Sequence, residues 1–313
     1  MARYLVTGAA GFIGARVSDL LLNDGHEVFG VDNLNDAYDV RLKEWRLARL
    51  SGRAGFDFER ADIAQFAAVQ NVFEQRGPFD AIFNLAARAG VRQSVENPWV
   101  YVDTNMTGTL NLLEMAQRKG TKKFILASTS SIYGDNPSRP TPETAASDRP
   151  LQPYAASKKG GEAMCHRYHY LYDLDVTIFR YFTVYGPAGR PDMVMFLFAQ
   201  WIAEGKPVRV NGNGEQTRGF TYLDDIARGT ILGLKRVGYE IVNLGGHEEI
   251  SINDLIARLE ALLKKKAQIE YLPLHRADML ANLADVGKAR QLLGWQPQIA
   301  LQDGIENLVN WYL

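Results

Sequence analysis

Arg3-Tyr-Leu-Val-Thr7-Gly8-Ala-Ala-Gly11-Phe-Ile-Gly14 is the stretch that decides the reading of this chain. Arg3–Thr7 has the composition of a buried strand. Phe12–Asn23 has that of a helix, with Ile13, Val17, Leu20 and Leu21 on one face. Three glycines stand between and just inside them. Gly8 permits a tight turn, Gly11 lets the backbone approach a pyrophosphate, and Gly14 lets helix and strand pack closely. The helix then aims its free N–H groups at the phosphates. The spacing is GxxGxxG, not the more familiar GxGxxG. Glycines also end strands for purely structural reasons, so the loop gains its meaning from the acid downstream of it. Asp32 closes the next strand, 18 residues after Gly14. A carboxylate there accepts hydrogen bonds from a ribose diol and repels a 2′-phosphate, which favours NAD over NADP.

Outward from the loop, short apolar runs alternate with helical patterns. Strands are expected at 27–31, Phe56–Arg60, Ala81–Asn84, 123–128 and 176–179, with long helices at 98–119 and Pro153–Tyr172. Such alternation predicts an α/β fold: a Rossmann-like, doubly wound parallel sheet covered on both faces. After Tyr185 the character changes. A helix at 193–204, a strand at Val208–Asn211, a glycine turn at 212–214 and scattered helices, among them 252–265 and 301–311, predict a smaller α/β region. The expected division is 1–180 for the cofactor and 181–313 for the substrate, with the chain free to cross between them. A cleft between the two would hold the ligands.

Composition narrows the function. The chain has 313 residues, 46% hydrophobic and 23% charged, the mix of a globular protein. Lys plus Arg is 35 and Asp plus Glu 36, so no basic footprint marks a nucleic-acid partner. The single cysteine excludes a disulfide framework. No apolar run is long enough for a membrane span, and a cytoplasmic location is expected. His166 and His169 have helical spacing but lack supporting ligands, so no metal is expected. Cys165 reads as a core thiol, and Lys264-Lys-Lys266 as a helix end.

Tyr154-Ala-Ala-Ser-Lys158 opens the second long helix. Residues four apart share a helix face, and a nearby ammonium draws a phenol's pKa down from about 10. Tyr154 is thus a candidate general base for a sugar hydroxyl. Ser128-Thr-Ser-Ser131 follows a strand directly, at the sheet edge where active groups gather.

With these elements in place, the chain resembles the extended short-chain dehydrogenase/reductase family, in particular its NAD-dependent nucleotide-sugar epimerases and dehydratases. The resemblance runs through Leu85-Ala-Ala, Asn105, Tyr133-Gly134, Arg180-Tyr-Phe, Phe220-Thr-Tyr-Leu-Asp-Asp225, and Ala284-Asp-Val together with Gly294-Trp295. It implies Thr129, Tyr154 and Lys158 as the catalytic set. It implies cofactor contacts from Gly8, Gly11, Phe12, Ile13, Gly14, Asp32, Asn33, Asp62, Ile63, Leu85, Ala86, Ala87 and Asn105, with Tyr154 and Lys158. It also implies a homodimer formed through 98–119 and 153–172.

The active-site loop refines this. Dehydratases of the family typically carry an Asp-Glu pair after the threonine, and uronate decarboxylases a Glu. Here the loop reads Thr129-Ser-Ser-Ile-Tyr133 with no carboxylate, as in the 4-epimerases. Thr183 stands where glucose-type epimerases usually have Asn. Phe182-Thr-Val-Tyr-Gly-Pro187 followed by Arg190-Pro-Asp-Met193 is similar to the UDP-glucuronate 4-epimerases. The implied reaction is 4-epimerisation of a UDP-hexuronic acid through a 4-keto sugar. The alternatives are a UDP-glucose 4-epimerase, a UDP-glucuronate decarboxylase and a non-catalytic NAD-binding protein. Substrate contacts are expected from Arg92, Ser130, Thr183, Arg190, Arg218, Arg276 and Asp278, since arginine forks suit phosphates and carboxylates. The chain departs from the family at Asn84, where His is common, and at Gly219, where Asp is common and would orient Arg218. It departs again at Ala277 and Asn282.

Overall fold

The computed structural model describes residues 1–135, 138–246, 248–273 and 282–313. In chain order the first half runs β1 Arg3–Thr7, α1 Phe12–Asn23, β2 Glu27–Asp32, α2 Val40–Ala48, β3 Phe56–Arg60, α3 Phe66–Arg76, β4 Ala81–Asn84, α4 Val91–Glu96, α5 Trp99–Tyr101, α6 Gly108–Lys119, β5 Lys123–Thr129, α7 Pro153–Tyr172 and β6 Asp175–Tyr181. The second half adds β7 Thr183–Tyr185, α8 Val194–Glu204, β8 Val208–Asn211, β9 Thr217–Tyr222, α9 Leu223–Leu232, β10 Tyr239–Leu244, β11 Glu248–Ser251, α10 Ile252–Leu263, β12 Ile269–Leu272 and α11 Leu301–Tyr312.

Seven strands form one sheet in the order β10-β6-β5-β4-β1-β2-β3, every pair parallel. Parallel strands need crossovers, and the helices that make them cover both faces. One core, with Val17, Leu21, Phe83, Ile226 and Trp295, lies on one face. The other, with Phe29, Phe73, Leu113, Phe124 and the fully buried Cys165, lies on the opposite face. The order reverses between β1 and β4, which opens a crevice at the carboxyl edge of the sheet.

The smaller region has its own core of Phe198, Ile202, Phe220, Leu255 and Ile305 beneath the β11-β9-β7 sheet. Residue 180 falls within β6, and the chain crosses back after it. Strand β10 pairs with β6 from Tyr239↔Val176 to Leu244↔Tyr181. Helix α9 packs on α1, tied by Arg16 Nε and Nη2 donating to Asp224 (2.9 and 2.8 Å). The neighbouring Asp225, fully buried, accepts from Gln298 N and Ile299 N (2.8 and 3.0 Å) and anchors the C-terminal segment.

Three details differ from the sequence reading. The helix expected at 98–119 is broken by a π-helical stretch, Val102–Thr107, between α5 and α6. Such bulges sit at functional places often enough to mark this one. Strands β9, β10 and β11 occupy a stretch read as scattered helices. Each is short and stands only through its pairing, which local pattern does not reveal. Helix α10 ends at Leu263, where Lys264 turns left-handed (φ 52°).

Candidate active site

The elements deliver their functional side chains to one edge. The glycine loop follows β1, Asp32 ends β2, Asp62 follows β3, Leu85 follows β4, Thr129 ends β5 and Thr183 lies just beyond β6. They line a cleft of about 1060 Å³ between the large sheet and the smaller region. Gly8, Gly11, Phe12, Ile13 and Gly14 form its floor at one end, facing Asp32, Asn33, Asp62 and Ile63.

The glycines are required there. A Cβ on Gly14 would stand 2.1 Å from the Gly8 carbonyl oxygen, and one on Gly8 2.7 Å from Ala86 N. Gly8 also has φ +69°, a conformation open to glycine at little cost. The backbone thus forms a side-chain-free cradle at the start of α1, where N–H groups meet an anion. Asp32 Oδ2 accepts from Ala10 N (3.2 Å) and Oδ1 from Leu34 N (2.9 Å), which fixes the carboxylate at the rim. Asn33 Nδ2 donates to Asp62 Oδ2 (3.0 Å). The donor set fits a dinucleotide, with Asp32 toward a ribose and the cradle toward its phosphates.

Leu85, Ala86 and Ala87 line the middle of the cleft. Asn105, expected at the cofactor, lies behind this wall and is 2% exposed. Its Oδ1 accepts from Arg88 N (3.0 Å), while Nδ2 donates to Arg88 O (3.0 Å) and Ser157 Oγ (2.9 Å). It joins the 85–89 loop to the helix of Tyr154.

Thr129, Tyr154 and Lys158 all face the cleft. The Thr129 hydroxyl caps the turn Ser130–Tyr133, accepting from Ser131 N and donating to Ser131 Oγ (both 3.2 Å). Lys158 Nζ donates to Ala127 O (2.8 Å). Burial draws the ammonium down to about 8, against an upward pull from Glu162. Burial pushes the Tyr154 phenol up. The Thr129 hydrogen bond and the Arg190 charge draw it down. Thr129 and Arg190 thus favour the ionised phenol. The lysine's ammonium is turned toward strand β5.

Lys158 yields a test. Below pH 8 the folded chain holds this charge at a cost. Between 8 and 10.5 the folded form sheds the proton while the unfolded one keeps it, so stability rises with pH there. In the cofactor-free enzyme, the stability of wild type minus that of Lys158→Met should climb by about 2 kcal/mol between pH 7.5 and 10. Denaturant titrations at pH 7.5 and 10 measure it, and a flat difference would remove the buried charge from the account.

Beneath the catalytic loop, Arg180 is 1% exposed and forks onto Glu162 (Nε to Oε1 3.0 Å, Nη2 to Oε2 2.8 Å). Ser128 Oγ donates to the same carboxylate (2.6 Å). That pair explains Arg180-Tyr-Phe as scaffolding for the loop.

Ser130, Thr183, Arg190, Arg92 and Arg218 line the same cleft. Arg190 forks onto Asp192 (3.1 and 2.6 Å) and acts electrostatically on Tyr154. Arg276 and Asp278 lie outside the described residues. Gly219 has no room for the family's Asp, since a Cβ would meet Gly246 O at 2.5 Å and Asn282 O at 2.7 Å. Asn282 Nδ2 donates to Ser130 Oγ (3.3 Å) and joins the wall. Sequence reasoning missed Lys43, Arg88, Gln216 and Asn282, which also line the cleft. For Arg88 a signal existed: it follows β4 at the carboxyl edge. Buried Lys43 gave none, because a polar residue on α2 reads as solvated. No group of three or more metal-binding side chains occurs among the described residues. His166 and His169 pack against the Tyr239 ring. No helix is long and apolar enough to cross a membrane among the described residues.

This geometry has relatives. Residues 4–245 match the NAD dependent epimerase/dehydratase family. The chain belongs to that family. A UDP-glucuronate 4-epimerase of Thermodesulfobacterium geofontis is 56% identical over 99% of this chain and 96% of its own length. Among solved structures, UDP-glucuronic acid 4-epimerase from Bacillus cereus, in complex with UDP-glucuronic acid and NAD, superposes with a TM-score of 0.92. It is 37% identical over 99% of this chain and 98% of that one. The UDP-glucose 4-epimerase of Thermotoga maritima superposes with a TM-score of 0.91 at 32% identity, over 99% of this chain and 98% of that one. The doubly wound parallel sheet of this epimerase/dehydratase family member is thus the one expected from the sequence.

Proposed function

We infer that the protein is an NAD-dependent UDP-glucuronate 4-epimerase that interconverts UDP-glucuronate and UDP-galacturonate. The observation that carries this reading is that Thr183 and Arg190 line the same cleft as Thr129 and Tyr154, beside a loop, 129–133, without a carboxylate. The relatives above support the reaction and the cofactor.

Gly8, Gly11 and Gly14 would hold the phosphates of NAD, Asp32 a ribose, and Lys158 the nicotinamide ribose. Bound NAD⁺ supplies a hydride acceptor for C4 and a positive charge that favours phenolate. Tyr154 takes the O4 proton, and Thr129 hydrogen-bonds the same oxygen through both half-reactions. The sugar ketone turns over in the cleft, so that C4 takes the hydride back on its other face while Tyr154 returns the proton to O4. No acid is needed to expel a hydroxyl, which matches the carboxylate-free loop.

A uronate brings a hazard, because its 4-keto form is a β-keto acid. CO₂ leaves when the C5–carboxylate bond aligns with the carbonyl π system. Thr183 and Arg190 hold the carboxylate out of that alignment in this reading. Ionic hydrogen bonds of this kind contribute about 1.5–3 kcal/mol. Arg190→Ala should therefore raise KM for UDP-glucuronate about tenfold or more and release some pentose product. Unchanged KM and product purity would remove Arg190 from the carboxylate site.

The deciding experiment is incubation of the purified protein with UDP-glucuronate, with products read by NMR. UDP-galacturonate with its carboxylate retained is the expected result. A pentose would make the chain a decarboxylase. Turnover of UDP-glucose alone would keep the catalytic set and overturn the carboxylate assignment. We also propose a homodimer in the cytoplasm. Its pairing face would include exposed Val95 and Trp99 beside α6 and α7, and sedimentation would test it.

A further inference from the structure

Arg46, in the last turn of α2, is 4% exposed. Its hydrogen-bond partners among the described residues are all uncharged. Nη1 donates to Ala10 O (3.2 Å) and Tyr38 OH (2.8 Å). Nε and Nη2 donate to Ala188 O (3.1 and 2.6 Å), and Nη2 reaches Gly189 O (3.4 Å). The guanidinium also lies over the Phe12 and Tyr38 rings. One planar group thus grips two segments far apart in sequence. Ala10 belongs to the glycine loop, and its N–H is held by Asp32. Ala188 and Gly189 immediately precede Arg190.

The second segment needs holding. Ala188 has φ 52°, a left-handed conformation that an alanine rarely adopts. A fork of rigid donors on its carbonyl fixes that conformation, and with it the direction in which the chain presents Arg190. Lysine, with donors on a single nitrogen, does not span the same carbonyls.

We propose that Arg46 is a positioning residue that clasps the cofactor-binding loop to the 186–193 loop, so that Arg190's grip on the sugar carboxylate depends on it. The proposal rests on the uronate reading for its functional consequence, but the clasp itself does not.

Wild type, Arg46→Lys, Arg190→Ala and the double variant, each as NAD-loaded enzyme, are titrated calorimetrically with UDP-glucuronate and UDP-glucose. The ratio of the two Kd values isolates the carboxylate. In Arg46→Lys that ratio should fall at least fivefold while Kd for UDP-glucose moves less than threefold. The double variant should lose no more than a further twofold beyond Arg190→Ala, because the two residues act as one unit. Equal weakening of both sugars, or losses that multiply, would make Arg46 merely structural and overturn the proposal. Amide hydrogen exchange over 186–193 is read in parallel, and Arg46→Lys should speed it at least tenfold. Unchanged exchange overturns the clasp. If wild type shows no preference for UDP-glucuronate, the uronate reading fails, while the exchange result still decides the clasp. Should Arg46→Lys not fold, Tyr38→Phe removes one partner and must speed the same exchange about twofold; no change overturns the proposal.

Discussion

Tyr154→Phe should lower kcat about 10³- to 10⁴-fold while Kd values for NAD and UDP-glucuronate stay within about threefold. The substitution deletes one oxygen and leaves the ring, which packs edge-on against Tyr101 at 6.1 Å. In the proposed reaction the lost hydroxyl is the group that takes the O4 proton. Thr129 cannot replace it, because an alcohol is far too weak an acid to be held as its anion. The measurement is initial-rate NMR or coupled chromatography, with calorimetry for binding. A variant retaining a tenth of the activity would mean that another group moves the proton. Weakened binding in step with the rate would mean that Tyr154 holds substrate instead.

The second large effect is expected at Gly14→Ala. The new Cβ would stand 2.1 Å from Gly8 O, 2.8 Å from Gly8 C and 3.3 Å from Ala9 N, all backbone atoms. Relief requires α1 to move away from β1 or the cradle to deform. We expect about 3 kcal/mol lost in stability, at the upper end of ordinary overpacking, and at least a hundredfold loss in NAD affinity. Gly25→Ala is the matched control. Gly25 has φ +78° but nothing within 4 Å of its Cβ position. It should cost about 1–2 kcal/mol through conformation alone and leave NAD affinity unchanged. Equal effects on NAD affinity at the two positions would show that the cradle is not what binds.

Local features were the legible ones. The glycine loop, Asp32 and the Tyr154–Lys158 spacing each follow from a rule that spans a turn or a strand, and all of them face the cleft. What escaped the sequence depends on distant chain segments. Asn105 sits in a motif, yet the bonds of its amide to Arg88 and Ser157 depend on how the 85–89 loop and α7 meet. The direction of the Lys158 ammonium depends on the Ala127 carbonyl of a neighbouring strand. Lys43 and Arg46 look like surface residues on a polar helix, and it takes the glycine loop, Tyr38 and the returning loop 186–193 together to bury Arg46. The absence of a carboxylate at Gly219 was visible as a departure. Its cause, the Gly246 and Asn282 carbonyls pressed against that backbone, was not.

The crossing of the chain at β10 has a consequence for recombination between relatives. A gene exchange with one breakpoint near codon 180 would join one parent's β6 to the other parent's β10, and one parent's α1 to the other's α9. Every chimera of that kind inherits a hybrid sheet edge and a hybrid Arg16–Asp224 pair. A graft that carries a new sugar preference must instead replace separate inserts and spare 223–244 between them. Sugar preference in this architecture is therefore not inherited as a contiguous cassette, and single-crossover libraries are expected to be poor in folded members.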